Sequence, residues 1–163
     1  MARPTDPVPT LPVDPDSVPR EPGPLHVRPA AIVAVALGGL LGTPLRYVLW
    51  ARFPTPAGFF PWATFSINVV GAFLLGLLLE ALTRLGDDAG WRRRVRLCVG
   101  TGLLGSFTTY STLAVDTDIL LSDHHLATAG LYAVATVVVG LLVTAAGIAI
   151  GARVRNRRSE GIR

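Results

Sequence analysis

The chain has 163 residues, of which 50% are hydrophobic and only 16% are charged, and its net charge is +4. Soluble domains carry about 25% charged residues, so this composition, with a mean hydropathy of +0.49, excludes a soluble enzyme with a large polar active site. All fifteen basic residues are arginine, and most lie between or beyond long apolar runs, a pattern typical of membrane proteins rather than of nucleic-acid binding. The single cysteine, Cys98, excludes a disulfide framework.

Residues 1–29 differ from the rest of the chain. They hold nine of the thirteen prolines and no long apolar run. Proline restricts the backbone and removes a hydrogen-bond donor, so the segment is predicted to be a disordered, proline-rich tail, with a partner-binding proline motif as the alternative. The apolar stretch of a signal peptide is missing near the start.

Four long apolar segments follow the tail. They run from about 30 to 50, 61 to 82, 95 to 121 and 126 to 152. Each has about 20 residues or more, enough at about 1.5 Å per residue to cross a hydrocarbon core of about 30 Å. None shows the two-residue alternation of membrane β-strands. The sequence therefore predicts an all-α membrane protein, with four transmembrane helices in a domain over 30–152 and a basic tail at 153–163.

The arginines are distributed unequally around these segments. The loop between the second and third segments and its flanks hold Arg84, Arg92, Arg93, Arg94 and Arg96, and the C-terminal tail holds Arg153, Arg155, Arg157, Arg158 and Arg163. The opposite side has Arg52, together with Asp116, Asp118 and Asp123. The positive-inside rule then predicts a multi-pass protein of the cell membrane with both termini, and hence both tails, in the cytoplasm.

Polar residues inside the apolar segments form two stripes. Thr64, Asn68, Ala72 and Gly76 recur every four positions in the second segment, and Thr128, Tyr132, Thr136, Gly140 and Thr144 do so in the fourth. Hydrocarbon offers such groups no partner, so the two stripes could line a path for a polar solute. A threonine hydroxyl can instead bond to its own helix backbone. Because Asn68 does so less easily, it is the strongest single candidate.

Small residues are frequent in the same helices. Gly147 and Gly151 have the spacing of a helix-dimer motif. Packing within one subunit would use the same residues, so both interpretations stay open at this point.

The third segment is the least regular. It contains Gly100, Gly102 and Gly105, followed by hydroxyl residues at most positions from 106 to 112. These are poor helix formers, which predicts a helix broken near mid-membrane. The freed backbone groups there must be buried or meet a ligand. Carbonyls can coordinate a hard cation, and amides or hydroxyls can hold an anion; a plain packing kink is the alternative.

Charged residues inside the spans are few. Arg46 lies about a turn before the end of the first segment, where it either reaches the membrane surface or draws anions into a vestibule. Glu80, near the end of the second segment, is assigned to the interface. No acid or histidine lies at the middle of a span, as a proton-coupled pump requires. With no recognisable nucleophile–base pair, phosphate loop or metal-ligand cluster, the sequence predicts no enzymatic activity.

Three motifs, taken in order, resemble the fluoride channel family called Fluc or CrcB. They are Gly38-Gly39-x-x-Gly42-x-x-x-Arg46-Tyr47, Thr64-x-x-x-Asn68-x-x-Gly71 and Gly102-x-x-Gly105-x-x-Thr108-Thr109-x-Ser111-Thr112. The similarity extends over 30–152. It implies a dimer of two antiparallel (inverted) subunits with two pores along their interface, through which cytoplasmic fluoride leaves passively, so that the cell resists fluoride.

The resemblance also implies which residues serve the ion. The anion pathway would comprise Thr64, Asn68, Tyr110, Ser111, Thr112, Leu113, Tyr132 and Thr136, with Arg46 as a candidate beside them. A buried structural sodium ion would be held by the backbone carbonyls of Gly105 and Thr108. Stripping water from an unpaired ion costs tens of kcal/mol, so the amide, hydroxyl and ring-edge donors of such a pathway would have to replace the water of fluoride.

The chain departs from the family pattern at four positions. Where the family has Phe-Ser-Thr-Phe, this chain has Tyr110-Ser111-Thr112-Leu113, and a leucine offers no ring edge to an anion. Ser106 replaces a glycine, and Phe107 replaces a smaller residue. We therefore expect one good pore and one degenerate pore.

The arginine bias leads to a prediction about the partner. A chain that pairs antiparallel with itself must insert in both orientations, which requires balanced flanking charge, whereas this chain favours one orientation. We therefore predict a dimer with an oppositely oriented homologous subunit, in contact with membrane lipid and not with nucleic acid. The alternatives are a small multidrug-type proton-coupled exporter, which needs an acid that residues 30–50 lack, and a non-transporting membrane scaffold, which needs neither the broken helix nor the polar stripes.

Overall fold

The computed structural model describes residues 28–154, which are helical apart from short connections. The elements are α1 (Pro29–Arg52), α2 (Trp62–Leu85), α3 (Gly90–Val95), a π-helical segment (Arg96–Leu104), α4 (Gly105–Phe107), α5 (Tyr110–Ser122) and α6 (Leu126–Gly151). The proline-rich tail up to residue 27, and the basic tail from residue 155 onward, lie outside the described residues.

Prolines and a glycine set the limits of the first two helices. α1 begins at Pro29, where a missing N–H costs nothing because the first turn has no acceptor for it. It ends at Arg52, shortly before Pro54 and Pro56 disfavour further helix. α2 follows Pro61 and ends before Gly86, whose φ of +126° is a conformation that L side chains rarely adopt.

Three helices of the described region, α1, α2 and α6, are long and apolar enough to cross a membrane. The third predicted segment is helical from Gly90 to Ser122 but is interrupted at Thr108 and Thr109. The helical pieces of this segment are each too short to cross a membrane, although together they cover the length predicted for the third segment. The predicted break in the third helix is therefore confirmed.

Glycines let α1 pack directly on the backbone of the π-helical segment. A Cβ built on Gly38 would collide with the carbonyl oxygen of Cys98 and lie 2.6 Å from the amide nitrogen of Leu103. A Cβ on Gly102 would lie 2.5 Å from the carbonyl oxygen of Val35. Only glycine permits this approach, so the small residues that the sequence places in these two segments form the contact between them.

The second close contact joins α2 and α6. A Cβ on Gly147 would lie 2.9 Å from the amide nitrogen of Leu77, and one on Gly151 would lie 2.8 Å from the carbonyl oxygen of Leu77. From the α2 side of the same contact, a Cβ on Gly76 would lie 2.6 Å from the carbonyl oxygen of Thr144 of α6. Of the two interpretations left open for Gly147 and Gly151, the structure supports packing within the subunit.

Large apolar side chains cover the outer faces of these helices. Leu40 is 69% exposed, Leu141 is 67% exposed and Tyr110 is 82% exposed. In a chain with so little charge, these faces require lipid or another subunit to cover them.

Candidate functional site: the break in the third helix

Asn68 holds the helix break in place through both atoms of its side-chain amide. Its Nδ2 donates to the carbonyl oxygen of Thr109 at 3.0 Å, and its Oδ1 accepts from the amide nitrogen of Thr109 at 2.8 Å. Thr108 and Thr109 are both extended there, with ψ of 157° and 122°. The Asn68 amide thus replaces the backbone partners that Thr109 loses at the break.

Hydroxyl groups then restart the helix beyond the break. Thr109 caps α5, because its Oγ1 accepts from the amide nitrogen of Thr112 at 3.1 Å. The same oxygen lies 3.1 Å from Ser111 Oγ and 3.1 Å from Thr112 Oγ1. The run of hydroxyl residues therefore serves as a local cap as well as a polar surface. Thr109 was part of the recognised motif but was not among the predicted site residues.

The carbonyls of Gly105 and Thr108 are among those whose usual helical donors are directed elsewhere. In a continuous helix, the carbonyl oxygen of Gly105 would accept a hydrogen bond from the amide of Thr109, and that of Thr108 would accept one from the amide of Thr112. The first amide donates to Asn68 and the second to the Thr109 hydroxyl. Oxygen atoms released in this way suit a hard cation, so the residues present fit the sodium ligands that the family resemblance implies.

One cavity beside the break brings together four of the predicted anion-pathway residues. It measures about 380 Å³ and is lined by Arg46, Thr64, Ser111 and Thr112, with Thr109 and the aromatic rings of Tyr47 and Trp50. The Arg46 guanidinium thus shares one space with several hydroxyl groups. Arg46 therefore lies beside several of the other predicted pathway residues.

A second space, about 400 Å³ in volume, lies on the other side of the break. It is lined by Asn68, Tyr110, Leu113 and Thr136, along the contact between α2 and α6. The predicted pathway residues are therefore divided between two surfaces of one subunit. The break at Thr108 and Thr109 forms the wall between them, since Thr109 lines both spaces.

Tyr132, the remaining predicted residue, is completely buried and bonds to a carboxylate that the sequence analysis did not select. Its hydroxyl donates to Asp116 Oδ2 at 3.2 Å, and Thr64 Oγ1 donates to the same oxygen at 2.8 Å. In the sequence Asp116 is one of three acids on the side of the membrane opposite the arginine-rich loop, and the structure places it within α5. Its position one turn after Thr112 was the available signal, because residues four apart share a helix face.

The cluster around Tyr132 also explains the position of Leu113. Leu113 packs against the buried group of Leu120, Ala129 and Tyr132. The ring of Phe60 meets the ring of Tyr132 edge to face, with centroids 5.3 Å apart. Leu113 therefore belongs partly to this packing, although it also borders the second space.

The stripe on α6 is less available to a solute than its pattern predicts. Thr136 is buried and donates to the carbonyl oxygen of Tyr132 at 2.7 Å. Thr144 donates to the carbonyl oxygen of Gly140 at 2.8 Å. Both hydroxyls follow the self-bonding alternative, whereas Thr64 and Tyr132 direct theirs to Asp116.

The two residues that depart from the family pattern before the break are accommodated locally. Ser106 donates to the carbonyl oxygen of Gly102 at 2.7 Å, and its Oγ lies where a side chain at Gly42 would be. Phe107 is buried and lines an apolar cavity of about 320 Å³ between α1 and α2.

We expect Tyr132→Phe to destabilise the subunit through Asp116. The change leaves the carboxylate with one donor instead of two, which should cost about 1–2 kcal/mol. The free energy of unfolding in detergent, followed by helical circular dichroism, measures the cost. In an Asp116→Asn background the same change should cost clearly less, and equal costs in both backgrounds would show that the two groups are not coupled. Thr136→Val, which loses only a self-bonded hydroxyl, is the control.

The family model described as CrcB-like protein, Camphor Resistance (CrcB), matches residues 33–148. A protein of Leifsonia xyli named Fluoride-specific ion channel FluC 2 is 49% identical over 135 residues, which are 83% of this chain and 92% of that protein. One of Streptomyces avermitilis, named Fluoride-specific ion channel FluC 3, is 46% identical over 82% of this chain and 64% of its own length. The Thermus thermophilus protein named Fluoride-specific ion channel FluC is 41% identical over 72% of this chain and 90% of its own length.

Proposed function

The chain belongs to the CrcB-like family, and on that basis we propose that it is a subunit of a fluoride-specific channel through which fluoride leaves the cell passively. The relatives reported above are named as ion channels, and none of those names describes an enzyme. This agrees with the sequence prediction of a multi-pass membrane protein without catalytic activity. Fluoride resistance is the physiological consequence we expect.

The observation that carries the proposal is the helix break held by Asn68. Removing water from fluoride is costly unless other hydrogen-bond donors take the place of the water. An Nδ2 group has two hydrogens, and the contact with Thr109 uses one of them. The second is available to an anion in the space that Asn68 shares with Tyr110 and Thr136. Donors of this kind, fixed by the backbone before the ion arrives, need no rearrangement when it passes.

Arg46 supports entry from the other surface. Its guanidinium lines the same cavity as Thr64, Ser111 and Thr112. A fixed positive charge in a vestibule raises the local concentration of anions. The arginine then selects for charge, and the hydroxyl groups supply hydrogen bonds. Conduction requires such binding to stay weak enough for release.

A second subunit completes these surfaces. The two spaces are open clefts on one chain, and Tyr110 is 82% exposed beside one of them. An unpaired tyrosine hydroxyl is costly in hydrocarbon, whereas at a subunit interface it gains a partner. We take the arrangement as an antiparallel dimer of four-span subunits, in which the pieces from Gly90 to Ser122 form the third crossing.

Sodium is the structural ion we propose for the break. The carbonyl oxygens of Gly105 and Thr108 would hold it, since their helical donors bond to Asn68 and to Thr109. When bound, the ion supplies a fixed positive potential near the anion path. One chain contributes only two such oxygens, fewer than the six or more ligands that hard cations of this kind commonly take; matching carbonyls of a second subunit would raise the number.

The partner in that dimer is a homologous subunit of opposite orientation. The arginine-rich side of this chain sets both termini in the cytoplasm, so two copies would not readily insert in opposite directions. Leu113 offers no ring edge and packs instead on the Tyr132 cluster, so a pore that depends on it should conduct poorly. The result is one good pore and one degenerate pore per dimer.

Reconstitution tests the function and the partner together. Liposomes loaded with potassium fluoride and carrying the purified chain are treated with valinomycin, and a fluoride electrode follows efflux. We expect slow efflux from the chain alone and at least about tenfold faster efflux after co-reconstitution with an oppositely oriented homologous subunit. That factor corresponds to about 1.4 kcal/mol, which is small for assembling a missing pore.

Two controls make the outcome decisive. Chloride efflux from matched liposomes should stay at the protein-free level, and loss of this selectivity would contradict a fluoride-specific channel. Fast fluoride efflux from the chain alone would keep the channel function but refute the need for a different partner. No fluoride efflux in either case, with chain recovered in the vesicles, would refute the channel function.

A further inference from the structure

The turn between α2 and α3 is flanked by a cluster of arginines whose members are not equivalent. The five are Arg84, Arg92, Arg93, Arg94 and Arg96. The loop itself is the turn from Gly86 to Ala89, and α3 brings Trp91 to the same edge. By sequence alone these arginines count equally toward the positive charge of one membrane face. Their contacts divide them into two groups.

Three of the five arginines are paired with acids. Arg84 Nε lies 2.7 Å from Glu80 Oε1. Arg96 donates to both carboxylate oxygens of Asp88, at 3.0 and 2.7 Å, and Arg93 Nε lies 3.5 Å from the same carboxylate. The hydrogen bonds from Arg96 hold the pKa of the Asp88 carboxyl below its usual value. Asp88 therefore stays ionised at neutral pH and occupies two guanidinium groups.

Arg92 and Arg94 form the second group. Arg92 uses its Nε on the carbonyl oxygen of Asp87 at 2.7 Å, and its Cζ lies 6.0 Å from the centre of the Trp91 ring. Arg94 is exposed, and neither residue takes part in the ion pairs of the described region. Trp91 itself is 54% exposed. Positive charge without a carboxylate partner is therefore concentrated next to an exposed indole.

We propose that Trp91, Arg92 and Arg94 form a surface that binds the phosphate headgroups of anionic phospholipids at the cytoplasmic membrane surface. Guanidinium groups suit phosphate oxygens because they donate in pairs. Tryptophan is enriched at the level of the headgroups, where its ring meets acyl chains and its N–H meets water. Juxtamembrane arginines gain about 1 kcal/mol each near an anionic leaflet. Arg84, Arg93 and Arg96 contribute less, since their charges are already compensated.

The proposal goes beyond conduction and does not depend on it. It requires only that the loop lies at a membrane surface rich in anionic lipid. Binding can be measured in detergent, where neither the orientation of the chain nor the second subunit matters. A failure of lipid binding would therefore leave the channel proposal intact, and a failure of fluoride efflux would leave this one intact.

Native mass spectrometry of the purified full chain provides the test. The chain in a neutral detergent is titrated with short-chain phosphatidylglycerol, and phosphatidylcholine of the same chain length is the reference lipid. We expect Arg92→Gln and Arg94→Gln each to weaken phosphatidylglycerol binding about fivefold, the ratio that about 1 kcal/mol produces. Arg84→Gln removes the same charge from a paired residue and should change binding less than about twofold.

Asp88→Asn gives a change of opposite sign. Its amide cannot hold Arg93 and Arg96 as a carboxylate does, so two further guanidinium groups become available and phosphatidylglycerol should bind more tightly, by several-fold. Unchanged or weaker phosphatidylglycerol binding by Asp88→Asn would show that Arg93 and Arg96 do not bind lipid when they are released from Asp88.

Three outcomes would overturn the proposal. Equal losses in Arg84→Gln and Arg94→Gln would mean that total charge, rather than this site, attracts the lipid. Equal affinity for phosphatidylglycerol and phosphatidylcholine would exclude recognition of an anionic headgroup. Displacement of the lipid by inorganic phosphate at millimolar concentration would assign the site to free phosphate instead.

Discussion

Asn68→Asp is expected to abolish fluoride efflux. Aspartate keeps the acceptor for the Thr109 amide but has no N–H for the Thr109 carbonyl, and its charge repels both that carbonyl and an approaching anion. Losing one such buried partner costs about 1–3 kcal/mol, and more for a charged group, so efflux should fall at least about a hundredfold. The electrode assay on the complete channel measures it.

The control for this variant is Thr83→Val on the same helix. Thr83 donates to the carbonyl oxygen of Leu79 at 2.9 Å on an exposed face, so its hydroxyl has no share in the break. Its channel should conduct like the parent. Efflux near the parental rate from fully reconstituted Asn68→Asp would remove Asn68 from the pore. A Gln substitution, which keeps the amide on a longer arm, should retain more efflux than aspartate if hydrogen-bond donation is what matters.

Gly38→Ala should have the second largest effect, on folding rather than on conduction. The added methyl would overlap the carbonyl oxygen of Cys98 and lie 2.6 Å from the amide nitrogen of Leu103. Backbone atoms cannot yield as a flexible side chain does, so α1 must move away from the π-helical segment. Overpacking of this kind costs about 1–3 kcal/mol or more, and α1 also carries Arg46 into its cavity. Thermal unfolding in detergent measures the loss, and efflux should fall with it.

The neighbouring glycine supplies a matched comparison. A Cβ on Gly39 meets no atom within 4 Å in the described part of the chain, so Gly39→Ala should leave stability unchanged or raise it by about 1 kcal/mol through helix propensity. Gly130→Ala in α6 is a second variant of the same kind. If Gly38→Ala and Gly39→Ala unfold at the same temperature, the close contact between α1 and the π-helical segment does not exist in the folded protein.

Asn68 could be selected as a site residue from the sequence, but its bonding partner could not. Its type and position in an apolar segment were sufficient to select it, because an amide in hydrocarbon requires a partner. That the partner is the backbone of Thr109, reached across 41 positions of sequence, could not be predicted. The amide holds the helix break in place as well as being a candidate ion ligand, and only the fold shows that it bonds to the break.

Asp116 shows the opposite case. In the sequence it is one of three acids on the arginine-poor side of the membrane, and neither of its two partners lies within a turn of it. The carboxylate is bound by Thr64 of α2 and Tyr132 of α6, two residues far from it in the chain. Thr136 and Thr144 illustrate the same limit in reverse: the sequence placed them on a polar stripe, but in the structure their hydroxyls bond to their own helix.

The sequence by itself determined that this is a membrane protein, the approximate extent of its apolar segments and the place where the third helix breaks. These depend on composition and on neighbours in the chain, because hydrophobicity, glycine and proline act locally. Only the tertiary structure decided that the candidate residues divide between two surfaces and that Asp116 gathers two of their hydroxyls. It also decided which arginines of the α2–α3 loop are compensated. Such pairings are set by helix packing, which the order of residues along one segment does not contain.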